Sequence, residues 1–174
     1  FKNKKIIITG HTGFKGSWLT YWLVQHGAKV IGISKNVPTT PSHYKRLGLK
    51  KLIKEYFFQI EDLNKMKNII NRTKPDFVFH LAAQSLVKKS FLDPINTWKS
   101  NTFGTLSLLE SLKKMKKKVV VVLITSDKSY RNLELNRGYK ENDLLGGEDP
   151  YSGSKGATEL LINSYVKSYF NNRN

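Results

Sequence analysis

Lys4-Lys5-Ile6-Ile7-Ile8-Thr9-Gly10-His11-Thr12-Gly13-Phe14-Lys15-Gly16-Ser17 is the stretch that decides the fold. Lys4 to Thr9 is a short β-branched run, the pattern of a buried strand. Gly10, Gly13 and Gly16 then punctuate a turn. Ser17 to His26 has helical spacing through Trp18, Leu19, Trp22 and Leu23, Gly27 suits the helix end, and Val30 to Ile33 reads as the next strand. A glycine turn between strand and helix lets the backbone approach a pyrophosphate, which sits on the free N–H groups of the helix start. Because strand, turn, helix and second strand all follow in order, dinucleotide binding outweighs a purely structural turn. Gly10, Thr12, Gly13, Phe14, Lys15 and Gly16 are the candidate cofactor contacts. Their spacing is Gly-x-x-Gly-x-x-Gly, not the Gly-x-Gly-x-x-Gly of ordinary dehydrogenases.

Further along, Asn36 to Ser42 reads as loop, Tyr56 to Ile60 as a strand, Leu63 to Ile70 as an amphipathic helix and Phe77 to His80 as a strand. Pro94 to Lys116 has helical character, and Val119 to Ile124 reads as a strand buried on both sides. The polar segment Asp127 to Glu148 has no clear period. The last helix opens at Pro150 and carries Leu160, Leu161, Tyr165 and Tyr169. Strands that alternate with helices imply an α/β fold: a doubly wound parallel sheet of Rossmann type, with helices on both faces and right-handed crossovers. With 174 residues, 39% of them hydrophobic, the chain can bury one core, so residues 1–174 are expected to form a single NAD(P)-binding domain.

Composition narrows the function classes. Without cysteine there is neither a disulfide framework nor a thiolate metal site. No apolar run approaches a membrane span, and the basic start lacks the pattern of a signal peptide, so a cytoplasmic protein without a membrane partner is expected. The net charge of +17 suits an anionic substrate such as a nucleotide diphosphate, or equally a Lys- and Asn-rich composition that decorates every solvated face. A nucleic-acid partner is disfavoured, because the dense cluster Lys113–Lys118 has no interleaved aromatics. The four histidines show no metal-ligand spacing, and His80 is expected to be a satisfied core residue. Trp18, Trp22 and Trp98 sit at helix-like positions and are expected in the core.

Two segments carry chemistry. Glu148-Asp149-Pro150 reads as a helix start, with Asp149 as N-cap and Pro150 in the first helical position. Tyr151 and Lys155 then lie one turn apart on one face. An ammonium beside a phenol favours the phenolate, so the pair can exchange a proton with an alcohol. Thr125-Ser126-Asp127-Lys128 leaves the carboxyl end of the fifth strand, where open α/β sheets bind ligands. It brings an alcohol-orienting hydroxyl, an acid and a cation. At the end of the second strand, Ser34-Lys35-Asn36 stands where an acidic residue would hold the ribose hydroxyls of NAD. Asn36 can bond a hydroxyl and Lys35 can take the extra phosphate of NADP, so both cofactors stay open on chemistry alone.

Taken together, these residues resemble the extended short-chain dehydrogenase/reductase superfamily, and within it the CDP-glucose 4,6-dehydratases. The resemblance rests on Thr9 to Leu19, Phe79 to Gln84, Thr125 to Lys128 and Gly146 to Ser152, and it runs along essentially the whole chain. The Asp127-Lys128 pair is discriminating, since dTDP-glucose dehydratases carry Asp-Glu there and epimerases carry neither charge. The resemblance implies an NAD-dependent lyase that makes a 4-keto-6-deoxy sugar from CDP-glucose, in deoxysugar and O-antigen biosynthesis. It implies that Tyr151, aided by Lys155 and Ser126, takes the proton of the 4-hydroxyl. Asp127 is implied as the acid at the 6-hydroxyl, and Lys128 takes part in proton removal at carbon 5.

The same resemblance implies cofactor contacts at Leu81, Ala82, Ala83, Ser100 and Thr125, with Tyr151 and Lys155 also at the cofactor, and substrate contacts at Ser85 and Ser126. No metal is implied. The helices Pro94–Lys116 and Pro150–Phe170 resemble those that pair superfamily members into homodimers or higher homo-oligomers. Asn36 departs from a common ribose-binding Asp. Gln59, with Ile60 beside it, departs from a common Asp at the adenine, and Gly153 replaces a usual Asn. Family members are longer, so the chain is expected to be the N-terminal portion of an enzyme whose substrate domain lies beyond it. Another epimerase or dehydratase of the superfamily is the alternative, as is a non-catalytic dinucleotide-binding module if 174 residues is the natural length.

Overall fold

The computed structural model describes residues 1–171. Five strands form one parallel sheet: β1 (Lys5–Thr9), β2 (Lys29–Ser34), β3 (Lys54–Phe57), β4 (Phe77–His80) and β5 (Val120–Leu123). Their spatial order is β3-β2-β1-β4-β5. Successive strands step outward one way from β1 and then return to its other side, so the direction of winding reverses between β1 and β4. That reversal opens a crevice at the carboxyl edge.

The helices are α1 (Phe14–Gln25), α2 (His43–Arg46), α3 (Leu63–Thr73), α4 (Val87–Leu92), α5 (Pro94–Trp98), α6 (Gly104–Leu112) and α7 (Pro150–Tyr165). Strand residues alternate between faces, and β1 divides its isoleucines accordingly. Ile7 joins Ile33, Met66, Ile70, Val78, Leu108 and Leu112 in a core under α3 and α6. Ile6 and Ile8 join Leu23 and Val30 in a second core under α1. The doubly wound α/β architecture expected from the alternation is therefore present, with both faces of its central strands covered.

Several elements differ from their sequence reading. Trp18 and Trp22 are 53% and 63% exposed, not core. The inner face of α1 is made by Gly16, Ser17, Thr20 and Leu23, whose small side chains let the helix lie close to the sheet and turn the bulky stripe outward. Trp98 is also exposed. Val119–Ile124 is not buried on both sides: among the described residues β5 is an edge strand with only β4 beside it, Val121 and Leu123 turn to the core, and Val120 is 54% exposed.

β3 begins earlier than Tyr56 and ends at Phe57, and Phe58 and Ile60 enter the core from the loop that follows. The Pro94–Lys116 segment is interrupted by a π-helical stretch at Lys99–Phe103, and α6 ends at Leu112, ahead of the lysine cluster. Helix α4 has no counterpart in the sequence reading. No helix among the described residues is long and apolar enough to cross a membrane.

His80 is the buried group expected. Its Nδ1 lies 2.7 Å from Thr9 Oγ1 and its Nε2 3.1 Å from Thr105 Oγ1. Thr105 spends its own proton on the Asn101 carbonyl, 2.8 Å away. Nε2 must therefore donate to Thr105, which leaves Nδ1 to accept from Thr9: a neutral ring with both nitrogens satisfied. Burial, with the Lys155 charge adding to it, pushes the His80 pKa down to about 3. The unfolded chain binds a proton below pH 6.5 while the folded ring stays neutral, so stability falls as pH drops from 6.5 towards 3. The expected loss is about 2 kcal/mol between pH 7 and pH 5, read by urea unfolding. His80→Gln should lower that slope without abolishing it, since buried His11 is also held below its ordinary pKa, and a wild-type midpoint unchanged over the interval would refute the assignment.

Candidate functional site

The site is built where β1 and β4 diverge. Gly10 leaves β1 with φ +77, and its N–H donates to the Ile33 carbonyl at 2.7 Å. A side chain there would meet Ala82 N at 2.8 Å. Gly16 is tighter still: a Cβ would fall 2.0 Å from the Gly10 carbonyl oxygen. The turn can fold back onto its own helix only because both positions lack side chains. Helix α1 starts at Phe14 behind Gly13, which offers no side-chain cap. The N–H groups of its first turn thus remain for a ligand, where the helix dipole favours negative charge. This is a cradle that fits a pyrophosphate.

Beside it, Thr12 Oγ1 donates to the Asn36 carbonyl at 2.7 Å and Thr12 N–H to Ser34 Oγ at 3.3 Å, which fixes the end of β2 against the turn. His11, inside the turn, was not singled out from sequence. It is fully buried, with Nδ1 2.9 Å from Ser34 Oγ and Nε2 3.1 Å from the Glu55 carboxylate, which also accepts from Tyr44 Oη at 2.7 Å. Burial pushes the His11 pKa down, with Glu55 pulling against it. The one sequence signal was Gly32, a glycine inside a strand: a Cβ there would meet the ring at 2.5 Å. Gln59 is exposed, whereas the Ile60 side chain is in the core against Gly104.

The loop after β4 lies across the crevice. Leu81 N–H donates to the Thr9 carbonyl and Ala82 N–H to Thr9 Oγ1, each at 3.1 Å. Gln84 N–H donates to Asn101 Oδ1 at 2.8 Å, and Asn101 Nδ2 donates to the Gln84 carbonyl and to Ser154 Oγ at 3.1 and 2.9 Å. Asn101 is a second residue that sequence reading missed. It sits in the π-helical stretch, buried, and joins this loop to α7. Ala83 and Ser100 are half-buried near this junction, and Ser85 is exposed.

Helix α7 begins as the sequence indicated. Asp149 accepts from the N–H groups of Tyr151 and Ser152 at 2.9 and 3.0 Å and from Ser152 Oγ at 2.6 Å. Burial raises the Asp149 pKa, but these bonds, with the Lys128 charge, hold it below the ordinary carboxylate value. Tyr151 and Lys155 are 8% and 5% exposed. Lys155 Nζ donates to the Ile124 carbonyl at 3.4 Å, at the exit of β5. Burial lowers its pKa, opposed in part by Glu159, which makes the ammonium a readier proton donor.

Half-buried Thr125 leads from β5 into the single turn Asp127–Ser129. Ser126 Oγ caps that turn from the Lys128 N–H at 3.2 Å and donates to Asp127 Oδ1 at 3.1 Å. Asp127 and Lys128 are exposed. Gly156 of α7 packs against the Ser129 carbonyl, where a Cβ would lie at 3.2 Å. The acid, the cation and the tyrosine–lysine pair thus stand on adjoining elements at one edge of the sheet. An apolar hollow of about 680 Å³ beneath β5, lined by Leu112, Val121, Val166 and Phe170 among others, holds none of these groups. Among the described residues no cluster of three His, Asp or Glu could hold a metal ion.

A family model described as GDP-mannose 4,6 dehydratase matches residues 7–172. The chain is 45% identical over its whole length to a CDP-glucose 4,6-dehydratase of Salmonella typhimurium, of which it covers 48%. The UDP-glucose 4-epimerase of Thermotoga maritima, solved with UDP-glucose, superposes with a TM-score of 0.82 at 27% identity, over 95% of this chain and 52% of that one. The UDP-glucose 4-epimerase of Thermus thermophilus, solved with NAD, superposes with a TM-score of 0.78 at 25% identity, over 95% and 51%. The chain spans about half the length of the relatives it matches.

Gly16→Ala is expected to destabilise the chain by about 1–3 kcal/mol, as overpacking against an immovable carbonyl does. Gly138→Ala, at a position with open space around it, is the control. Equal urea midpoints for the two variants would show that the turn is not closed as described.

Proposed function

The chain belongs to the GDP-mannose 4,6 dehydratase family, and on that premise we propose that it carries the cofactor-binding and proton-transfer part of a CDP-glucose 4,6-dehydratase. The observation behind this reading is the pairing at the sheet edge of Lys155, bonded to the last carbonyl before Thr125, with the Asp127-Lys128 turn that follows it. The identity to the Salmonella CDP-glucose enzyme along the whole chain supports the choice of nucleotide sugar. In this reading the enzyme is an NAD-dependent lyase of the cytoplasm that supplies a deoxysugar precursor, and it works as a homo-oligomer.

The cradle made by Gly10, Thr12, Gly13, Phe14, Lys15 and Gly16 would hold the pyrophosphate of NAD. Asn36 would lie at the ribose, with Gln59 and the Ile60 backbone at the adenine. Leu81, Ala82, Ala83, Ser100 and Thr125 would line the path to the nicotinamide. When bound, NAD supplies a hydride acceptor at sugar carbon 4 and a hydride donor at carbon 6. Tyr151 takes the 4-hydroxyl proton, with Lys155 lowering the cost of the phenolate and Ser126 orienting the hydroxyl. The ketone at carbon 4 acidifies the hydrogen on carbon 5, which Lys128 helps to remove. Asp127 protonates the departing 6-hydroxyl, so that one water leaves. Ser85 and Ser126 contact the substrate.

The structural likeness to 4-epimerases favours a second reading, sugar epimerisation at carbon 4. Epimerisation needs the tyrosine and lysine but no acid at carbon 6, and Asp127-Lys128 speaks for dehydration.

The test uses the complete reading frame that carries this chain. Incubation with CDP-glucose should yield a 4-keto-6-deoxy product. Turnover of UDP- or dTDP-sugars without turnover of CDP-glucose would overturn the nucleotide assignment. Tyr151→Phe should lower turnover by roughly 10²–10⁴-fold, the range for loss of a general acid/base, and leave NAD binding intact. Asp127→Asn should slow water loss more than the first oxidation.

A further inference from the structure

Helix α1 turns its small residues to the sheet and its bulkiest apolar ones away from it. Its inner face meets the sheet, while Phe14, Trp18 and Trp22 form an i, i+4, i+8 stripe along its outer face, all more than half exposed. The charges around this stripe are of one sign. From Phe1 to Lys54 the chain has eleven Lys and Arg and no Asp or Glu. The first acid, Glu55, is turned inward to His11 and Tyr44. Helix α2 and the short turn Leu49–Lys51 both pack beside α1, and His43 of α2 is bonded to Ser17 of α1 at 2.9 Å. Lys45, Arg46, Lys50 and Lys51 are therefore carried next to the aromatic stripe, and all four are exposed.

We infer that this face docks on an anionic lipid surface. Exposed aromatic side chains along one helix, flanked by cations and without a nearby acid, are what an interfacial contact uses: rings at the headgroup level, ammonium groups at the phosphates. No membrane span is needed for such a contact. Three other occupants fit less well. Single-stranded nucleic acid needs free ring faces for its bases, but Trp18 already lies over His43 with centroids 4.3 Å apart, and Trp22 meets His26 at 5.6 Å. A second copy would bring the same unbalanced positive sector against itself. An acidic protein would satisfy the lysines but has no counterpart on this surface to say why the stripe is aromatic.

The experiment is co-sedimentation of the protein with phosphatidylcholine vesicles, with and without phosphatidylglycerol. It is combined with tryptophan fluorescence, read as the difference between wild type and Trp18→Phe/Trp22→Phe, so that the change followed belongs to the stripe. Binding is expected only with the anionic lipid, with a blue-shifted emission. Affinity should fall by about tenfold or more in Trp18→Ala/Trp22→Ala and, separately, in Lys50→Glu/Lys51→Glu. The second pair touches only exposed positions and serves if the first variant fails to fold by circular dichroism. The inference is overturned by no binding to anionic vesicles or by equal binding of wild type and both variants. It is also overturned by tighter binding of a single-stranded oligonucleotide with quenching of the same tryptophans, or by self-association that the tryptophan variant abolishes in the absence of vesicle binding.

Discussion

Three backbone segments meet at the carboxyl edge of the sheet with no room for a side chain between them. Gly10 faces Ala82, and Gly16 faces Gly10, at separations that a single Cβ would close. Everything the site offers depends on that contact. It sets where α1 begins relative to β1, and so where its free N–H groups point. It brings the loop after β4 near enough for Thr9 to hold both Leu81 and Ala82. The same closeness makes the crevice at the switch point narrow and backbone-lined, a shape suited to a pyrophosphate and not to a bulky side chain.

A buried chain of hydrogen bonds carries this geometry to the other half of the site. It runs from Thr9 Oγ1 to His80, from His80 to Thr105, and from Thr105 to the Asn101 carbonyl. From Asn101 Nδ2 it passes to Ser154 Oγ, and from there to the Tyr151 carbonyl. Each member has its partners within a low-dielectric interior, where a lost bond costs the full desolvation of the group left behind. The glycine turn and the first turn of α7 are therefore tied as one body, although 140 residues separate Thr9 from Asp149. Lys155 closes the arrangement by bonding the exit of β5.

What could be read from sequence follows from how local each signal is. The glycine turn, the Asp149-Pro150 helix start and the strand–helix alternation are settled within a few residues of chain, by φ, by capping and by period, and they were legible. Burial was not, because periodicity marks a face without saying which way it turns. Trp18 and Leu23 are both apolar positions of α1, but only the small residues at Gly16 and Thr20 decide which side approaches the sheet. Val119–Ile124 looked buried on both sides because its composition is that of a central strand, whereas the number of neighbours a strand has is a tertiary property. Asn101 and His11 stayed hidden because their partners lie far along the chain: Ser154 in one case, Glu55 in the other.

The exposed edge of β5 has a further consequence. Its outer N–H and C=O groups have no strand beside them among the described residues, and Val120 and Val122 flank them with apolar surface. Such an edge is a template for strand addition, the first step of sheet-to-sheet aggregation. What opposes it here is colloidal. Lys116 and Lys118 stand beside that strand, with Lys117 there paired to Asp76, and the chain as a whole carries +17. Mutual repulsion of this size keeps two such edges apart only while salt is low, since the screening length shrinks to about 8 Å at physiological ionic strength. Within the described residues, the pairing of this edge is thus governed by the charges beside it and by the salt that screens them.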